Sequence, residues 1–160
     1  MAADLETRVA KLEAIEDIRR LKARYAELCD DGYKPEGLSA LFTADAIWDA
    51  GPEFGRHVGK DEIYRFFDGV SKRLVWASHL MIDPSIEVAD DLENASGRWY
   101  LLEPATQKEG DEDVAVWISG VYTDTYRKEA DGWKFAKVEL VLHCIAPHDE
   151  GWVKTPFVGS

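Results

Sequence analysis

The sequence predicts an α+β fold in which N-terminal helices pack in the concave face of a strongly curved, mixed but mostly antiparallel β-sheet. Three observations predict it. Apolar residues recur at helical spacing through the first part of the chain. From Val75 onward the chain turns rich in Val, Ile, Trp, Tyr and Thr. Turn-like clusters then cut that second part into four segments. The 160 residues suit one domain, 1–160, with 147–160 as a C-terminal tail.

Taken in order, Leu5, Val9, Leu12, Ile15, Ile18, Leu21, Tyr25 and Leu28 recur every three or four residues, the stripe of a first helix. Asp30-Asp31-Gly32-Tyr33-Lys34-Pro35 ends it, because Gly and Pro punctuate helices. A short second helix is expected over Glu36 to Phe42. Ala46 to Ala50 reads as a brief strand, Gly51 to Gly59 as a loop, and Lys60 to Arg73 as a third helix. In that helix Ile63, Phe66, Phe67 and Val70 form the apolar side. Four long strands follow: Val75 to Val88, Glu93 to Glu103, Val114 to Arg127 and Trp133 to Ile145. The tail carries Trp152 and Phe157, which predicts that it packs against the body.

Composition excludes several roles. Hydrophobic residues make up 46% and charged residues 31%, as in a soluble globular protein. A net charge of −12 repels phosphate backbones and anionic headgroups, so neither nucleic acid nor a membrane surface is an expected partner. No apolar run approaches the roughly 20 residues a membrane span needs. The first residues show no basic n-region and no apolar h-region, which makes the cytoplasm the expected compartment. Cys29 and Cys144 are too few for a disulfide framework and are expected as buried thiols. The four histidines lack the paired spacing of zinc ligands, and there is no phosphate-cradling Gly loop, so no metal and no cofactor are expected.

Several stretches resemble SnoaL-like proteins of the nuclear transport factor 2-like (cystatin-like cone) superfamily. They are Ile18-Arg19-Arg20-Leu21-Lys22-Ala23-Arg24-Tyr25, Asp31-Gly32, Leu41 to Ala46, Gly59 to Ile63, His79, Gly97 to Tyr100, Tyr122 to Tyr126 and Asp131 to Phe135. The likeness spans nearly the whole chain. It is nearest to bile acid 7-alpha-dehydratase and hexachlorocyclohexane dehydrochlorinase, and more distantly to scytalone dehydratase. The resemblance implies a cone-shaped α+β barrel and a cofactor-free lyase with an Asp–His pair inside the cone. It matches that pair to Asp31 and His79, with Tyr25 as an assisting hydroxyl. The spacing from Tyr25 differs by one residue, which leaves Asp30 as a rival to Asp31. It also implies a homodimer or homotrimer.

Asp31 and His79 are far apart in sequence, so no local motif joins them. The chemistry is clear once they meet. Histidine takes up and releases protons near neutral pH. A carboxylate on one ring nitrogen fixes the tautomer and frees the other nitrogen as a general base. At about 100° per residue, Asp31 falls roughly 100° and Asp30 roughly 160° from the centre of the apolar helix face, which favours Asp31. Trp48, Phe54, Trp76, Trp99, Trp117 and Tyr122 are candidates for an aromatic wall, with His143 on the last strand facing the same space. Aromatic walls suit a hydrophobic polycyclic or aromatic substrate.

The expected reaction is elimination of water or another small group. An isomerase or aldol-type cyclase is the alternative on the same fold. So is an epoxide hydrolase, for which Arg98 would have to lie between two inward acids. A non-catalytic binding or assembly module, like the small subunit of ring-hydroxylating dioxygenases, is the third reading.

Overall fold

Asp4 opens the first helix, its carboxylate accepting from the Thr7 backbone N–H at 2.8 Å. In the computed structural model, which describes residues 4–158, this helix (α1) runs Leu5–Asp30. The two ends of the 1–160 unit, residues 1–3 and the last two of the tail, lie outside the described residues. The helix buries Ala14, Ile18, Lys22, Tyr25, Ala26, Leu28 and Cys29. Its stripe begins later than expected: Leu5, Val9 and Leu12 are exposed. After Asp31, Gly32 and Tyr33 take left-handed backbone angles (φ 76° and 53°), and Pro35 starts α2, Pro35–Ala40.

Strand β1 spans Phe42–Asp49, longer than the expected 46–50. The expected loop holds a single turn of helix, α3 (Gly51–Phe54), and a short strand, β2 (Arg56–Val58). Helix α4 covers Lys60–Val70 and buries Ile63, Phe67 and Val70. The strand expected over 75–88 is broken into β3 (Leu74–Ala77) and β4 (Leu80–Val88). Three long strands complete the sheet: β5 (Asn94–Glu109), β6 (Glu112–Glu129) and β7 (Gly132–Pro147). In the tail, α5 (Gly151–Lys154) is followed by a bridge from Phe157 to Ile145, so the tail does pack.

The strand order is β2-β1-β7-β6-β5-β3, with β4 also on β5. Among the strands of the described residues only β1 and β7 pair in parallel. The two edges never meet, so the cone stays an open, curved layer rather than a closed barrel. Register shifts at Ile82/Ser85, Ser119/Gly120 and Thr125/Tyr126 supply bends, since an extra residue on one strand kinks and twists it. Along β5 every second residue faces inward, from Ala95 through Trp99, Leu101 and Glu103 to Ala105. Along β6 the inward set includes Ile118, Tyr122, Asp124 and Tyr126. Helices α1 and α4 fill the concave side against these rows. Among the described residues no helix is long and apolar enough to cross a membrane.

Candidate active site

The concave face narrows around a small cavity of ≈ 30 Å³ whose wall includes Tyr25, Tyr33, Trp48, Phe67, His79 and Glu103. Phe54, Phe66, Val70, Leu74, Tyr122 and Leu140 complete its aromatic and aliphatic lining. That is room for about one water, well below the ~300–1,000 Å³ typical of ligand sites, so a ring-sized guest requires the aromatic wall to move aside. Of the residues expected there, Tyr25, Trp48, Phe54, His79 and Tyr122 are brought together.

His79 lies in the break between β3 and β4. Its ring Nδ1 is 2.7 Å from Asp30 Oδ1, and its backbone N–H donates to the same oxygen at 2.9 Å. Asp30, not Asp31, is therefore the partner of His79. Asp31 is the C-cap residue; its side chain is mostly exposed and reaches only Lys34, 3.9 Å away. The regular helix ends at Asp30, so the helical spacing of about 100° per residue does not set the direction of Asp31. The break in the strand also carries His79 to the edge of α1, where Asp30 projects. The histidine side chain is 5% exposed and Asp30 35%, so the pair runs from the surface into the cavity.

Sequence reasoning missed Glu103. The register on either side of the break, Ala77 opposite Ala105 and Leu80 opposite Leu102, sets His79 across from Glu103. Their side chains meet, with His79 Nε2 3.4 Å from Glu103 Oε2. Glu103 is buried (3% exposed) and its Oε1 accepts a long hydrogen bond, 3.4 Å, from the Tyr33 hydroxyl. Burial pushes its carboxyl pKa up; His79 and Tyr33 pull it down, and Asp30 raises it slightly. The signal was available: Trp99, Leu101, Glu103 and Ala105 share one face at period two, and a carboxylate in such a row is buried.

Tyr33 also carries meaning. A non-glycine residue at φ 53° is uncommon, and here its ring is fixed by stacking on Phe67 and an edge contact with His79 at 5.8 Å. Tyr25 is fully buried and its hydroxyl accepts from Trp48 Nε1 at 3.0 Å. Burial holds the phenols of Tyr25, Tyr33 and Tyr122 well above their ordinary pKa, so all three stay protonated.

Behind the cavity, Lys22 and Asp124 form a wholly buried ion pair at 2.8 Å. The ammonium sits 3.5 Å from the centroid of the Tyr122 ring. Asp124 Oδ2 also accepts from the Tyr126 hydroxyl at 2.9 Å, whereas its Oδ1 has no partner. Burial pushes the lysine pKa down and the aspartate pKa up, each opposed by the other's charge.

Four expected wall residues lie elsewhere. Trp76 is 54% exposed on edge strand β3. Trp99 is buried away from the cavity, where it donates to the Tyr126 hydroxyl at 3.0 Å. Trp117 falls on the alternate, outward set of β6 and donates to His148 at 2.9 Å. His143 is exposed on the outer face of β7 beside Trp117 and Trp152. Both β6–β7 register shifts place their extra residue on β7, at Ala136 and His143, which turns His143 outward; Trp117 simply lies on the outward parity that β6 keeps throughout. Arg98 also faces outward, its guanidinium bonded to the Tyr100 hydroxyl at 3.1 Å. The residue between two acids is His79.

The SnoaL-like domain profile matches residues 10–139. Similar solved structures include the following three. A hexachlorocyclohexane dehydrochlorinase (LinA) type 2 is 21% identical, with 90% of this chain and 93% of that one covered and a TM-score of 0.76. A scytalone dehydratase-like protein from Novosphingobium aromaticivorans is 25% identical, covering 98% and 99%, with a TM-score of 0.70. An NTF2-like protein with a cystatin-like fold from the same organism is 23% identical, covering 96% of each chain, with a TM-score of 0.69. No curated protein matches in sequence.

Proposed function

The chain belongs to the SnoaL-like domain family, and from that premise we propose that it is a cofactor-independent lyase acting on a compact aromatic or polycyclic molecule. His79 is the general base and Asp30 the carboxylate that orients it. The observation that carries this reading is the 2.7 Å contact of Asp30 with Nδ1, on a ring whose opposite edge borders an aromatic cavity. With Nδ1–H donated to Asp30, Nε2 holds the lone pair and points inward. It abstracts a proton from the substrate, and Asp30 stabilises the imidazolium that results. Such assistance is worth ~10²–10⁴-fold in rate. Tyr25 and Tyr33, both protonated, supply hydroxyls from the buried cavity wall. The dry, apolar wall strengthens these interactions relative to water.

Arg98 points away from the cavity, which disfavours the epoxide hydrolase reading of an arginine between two inward acids. The outer sheet face exposes the cross-strand pairs Leu80/Leu102 and Ile82/Tyr100, and these support self-association as a dimer or trimer. The unpaired thiols Cys29 and Cys144 suit a reducing compartment such as the cytoplasm.

The test is a mass-spectrometric screen of hydroxylated and halogenated ring compounds, wild type against His79→Ala. Loss of water or hydrogen halide is expected with wild type and not with the variant. Turnover that survives in His79→Ala removes the base from the mechanism.

A further inference from the structure

The lyase reading uses His79 and Asp30 but leaves Glu103 unexplained. A carboxyl group buried in an apolar row is costly unless it stays neutral or is fully paired. Glu103 is not fully paired. Its two contacts, His79 Nε2 and the Tyr33 hydroxyl, are both 3.4 Å long, beyond ordinary hydrogen-bond lengths. The groups facing it are Cys29 and Asp30 from α1, Tyr33 after it, His79 between β3 and β4, and Tyr122 on β6. None of these is a lysine or arginine.

We propose that Glu103 is the acid partner of His79, giving a proton to a departing hydroxyl, so that the site takes substrates with an oxygen leaving group next to the acidic C–H.

This rests on the reading of His79 as base. The step balances within the two side chains. Nε2 takes the proton from carbon, the C–H electron pair becomes the new double bond, and the C–O bond breaks with its electrons on oxygen. That oxygen takes the Glu103 proton and leaves as water. An imidazolium and a carboxylate then stand 3.4 Å apart, and the proton returns from Nε2 to Oε2. Both groups are reset without a proton from solvent. A halide needs no protonation to leave, so Glu103 would be idle in dehydrohalogenation. Because Nε2, from the break between β3 and β4, and Oε2, from β5 opposite it, lie on one wall, the hydrogen and the hydroxyl leave from the same face of the substrate. The upward push that burial gives the Glu103 carboxyl agrees with a neutral acid there.

The test needs no substrate. Infrared spectra of the wild-type protein at pH 7 are expected to show the carbonyl band of a protonated carboxyl that disappears in Glu103→Gln. Labelling all glutamates with ¹³C shifts the same band in wild type, so the assignment survives if the variant folds poorly. ¹⁵N spectra are expected to show His79 with Nδ1 protonated and Nε2 bare. An ionised Glu103 beside a bare Nε2 overturns the acid and leaves the base standing; an ionised Glu103 beside a doubly protonated ring overturns both. In the screen, hydroxylated hits that slow by ~10²-fold or more in Glu103→Gln support the assignment. Hits confined to the chlorinated analogues overturn it.

Discussion

One oxygen of Asp30 accepts two hydrogen bonds from His79, from ring Nδ1 at 2.7 Å and from the backbone N–H at 2.9 Å. The carboxylate thus does two jobs with one atom. It fixes the ring tautomer, and it satisfies a backbone donor that the break between β3 and β4 takes out of the ladder.

Replacing Asp30 should therefore hurt more than replacing its neighbour. Asp30→Asn offers an amide that can present its N–H₂ to the ring and favour the wrong tautomer. Turnover is expected to fall by ~10²–10⁴-fold. Asp31→Asn, on a mostly exposed side chain, should stay within about twofold of wild type. Steady-state rates on the first active compound from the screen decide between the two acids.

The fold was legible where a single period ran unbroken. Ile18, Tyr25 and Leu28 mark one helix face, and the turns at Asp90-Asp91 and Asp131-Gly132 mark where strands end. The site was legible where an aromatic or histidine side chain fell on an inward position, as with Tyr25, Trp48, Tyr122 and His79. Asp30 was harder, because its direction depends on where α1 stops, and periodicity does not set that residue. Glu103 was hidden by its neighbour. Leu102-Glu103-Pro104 reads as a strand end, since proline cannot donate to a ladder, yet β5 continues to Glu109. Pro104 is tolerated because its carbonyl accepts from Ser78 N at 3.1 Å while its missing N–H asks for no partner. His143 went astray through a bulge on β7, which no residue type announces.

Glu103 also makes a prediction about stability. Its folded-state pKa is raised above the unfolded value, mainly by burial. Between those two values the folded chain holds a proton that the unfolded chain has lost, so stability falls as pH rises through the window. Glutamine cannot ionise. Urea melts of wild type and Glu103→Gln at pH 4 and pH 7 should show the variant gaining on wild type at the higher pH. A difference that stays constant between the two pH values would mean that Glu103 titrates alike folded and unfolded.

The Lys22–Asp124 pair should behave as one unit. Both side chains are fully inaccessible to solvent, and Asp124 already carries one unpartnered oxygen. Lys22→Met leaves that carboxylate buried without a counter-charge and is expected to cost about 3–5 kcal/mol. Adding Asp124→Leu removes the stranded charge and should recover much of the loss, since apolar replacements of a whole buried pair are often neutral. Chemical denaturation of the two single variants and the double variant measures the coupling. Purely additive costs would show that the two groups do not depend on each other.

Two glycines give opposite expectations from the same substitution. Gly120 sits at the β6–β7 register shift, where an added Cβ would lie 2.7 Å from the Val141 carbonyl oxygen and 2.9 Å from Leu140 Cδ1. The backbone oxygen cannot move aside without opening the bulge, so Gly120→Ala should destabilise by about 1–3 kcal/mol. It would also press on Leu140, a cavity wall residue. Gly69 lies within α4 with open space where its Cβ would go. There alanine gains helix propensity and restricts the unfolded chain, so Gly69→Ala should stabilise by roughly 0.5–1 kcal/mol. Thermal melts should separate the two variants in opposite directions from wild type, by a few degrees each way at ~2–4 °C per kcal/mol for a chain near this size. A neutral Gly120→Ala would mean that the bend at this point of β6 does not need the close approach of Val141.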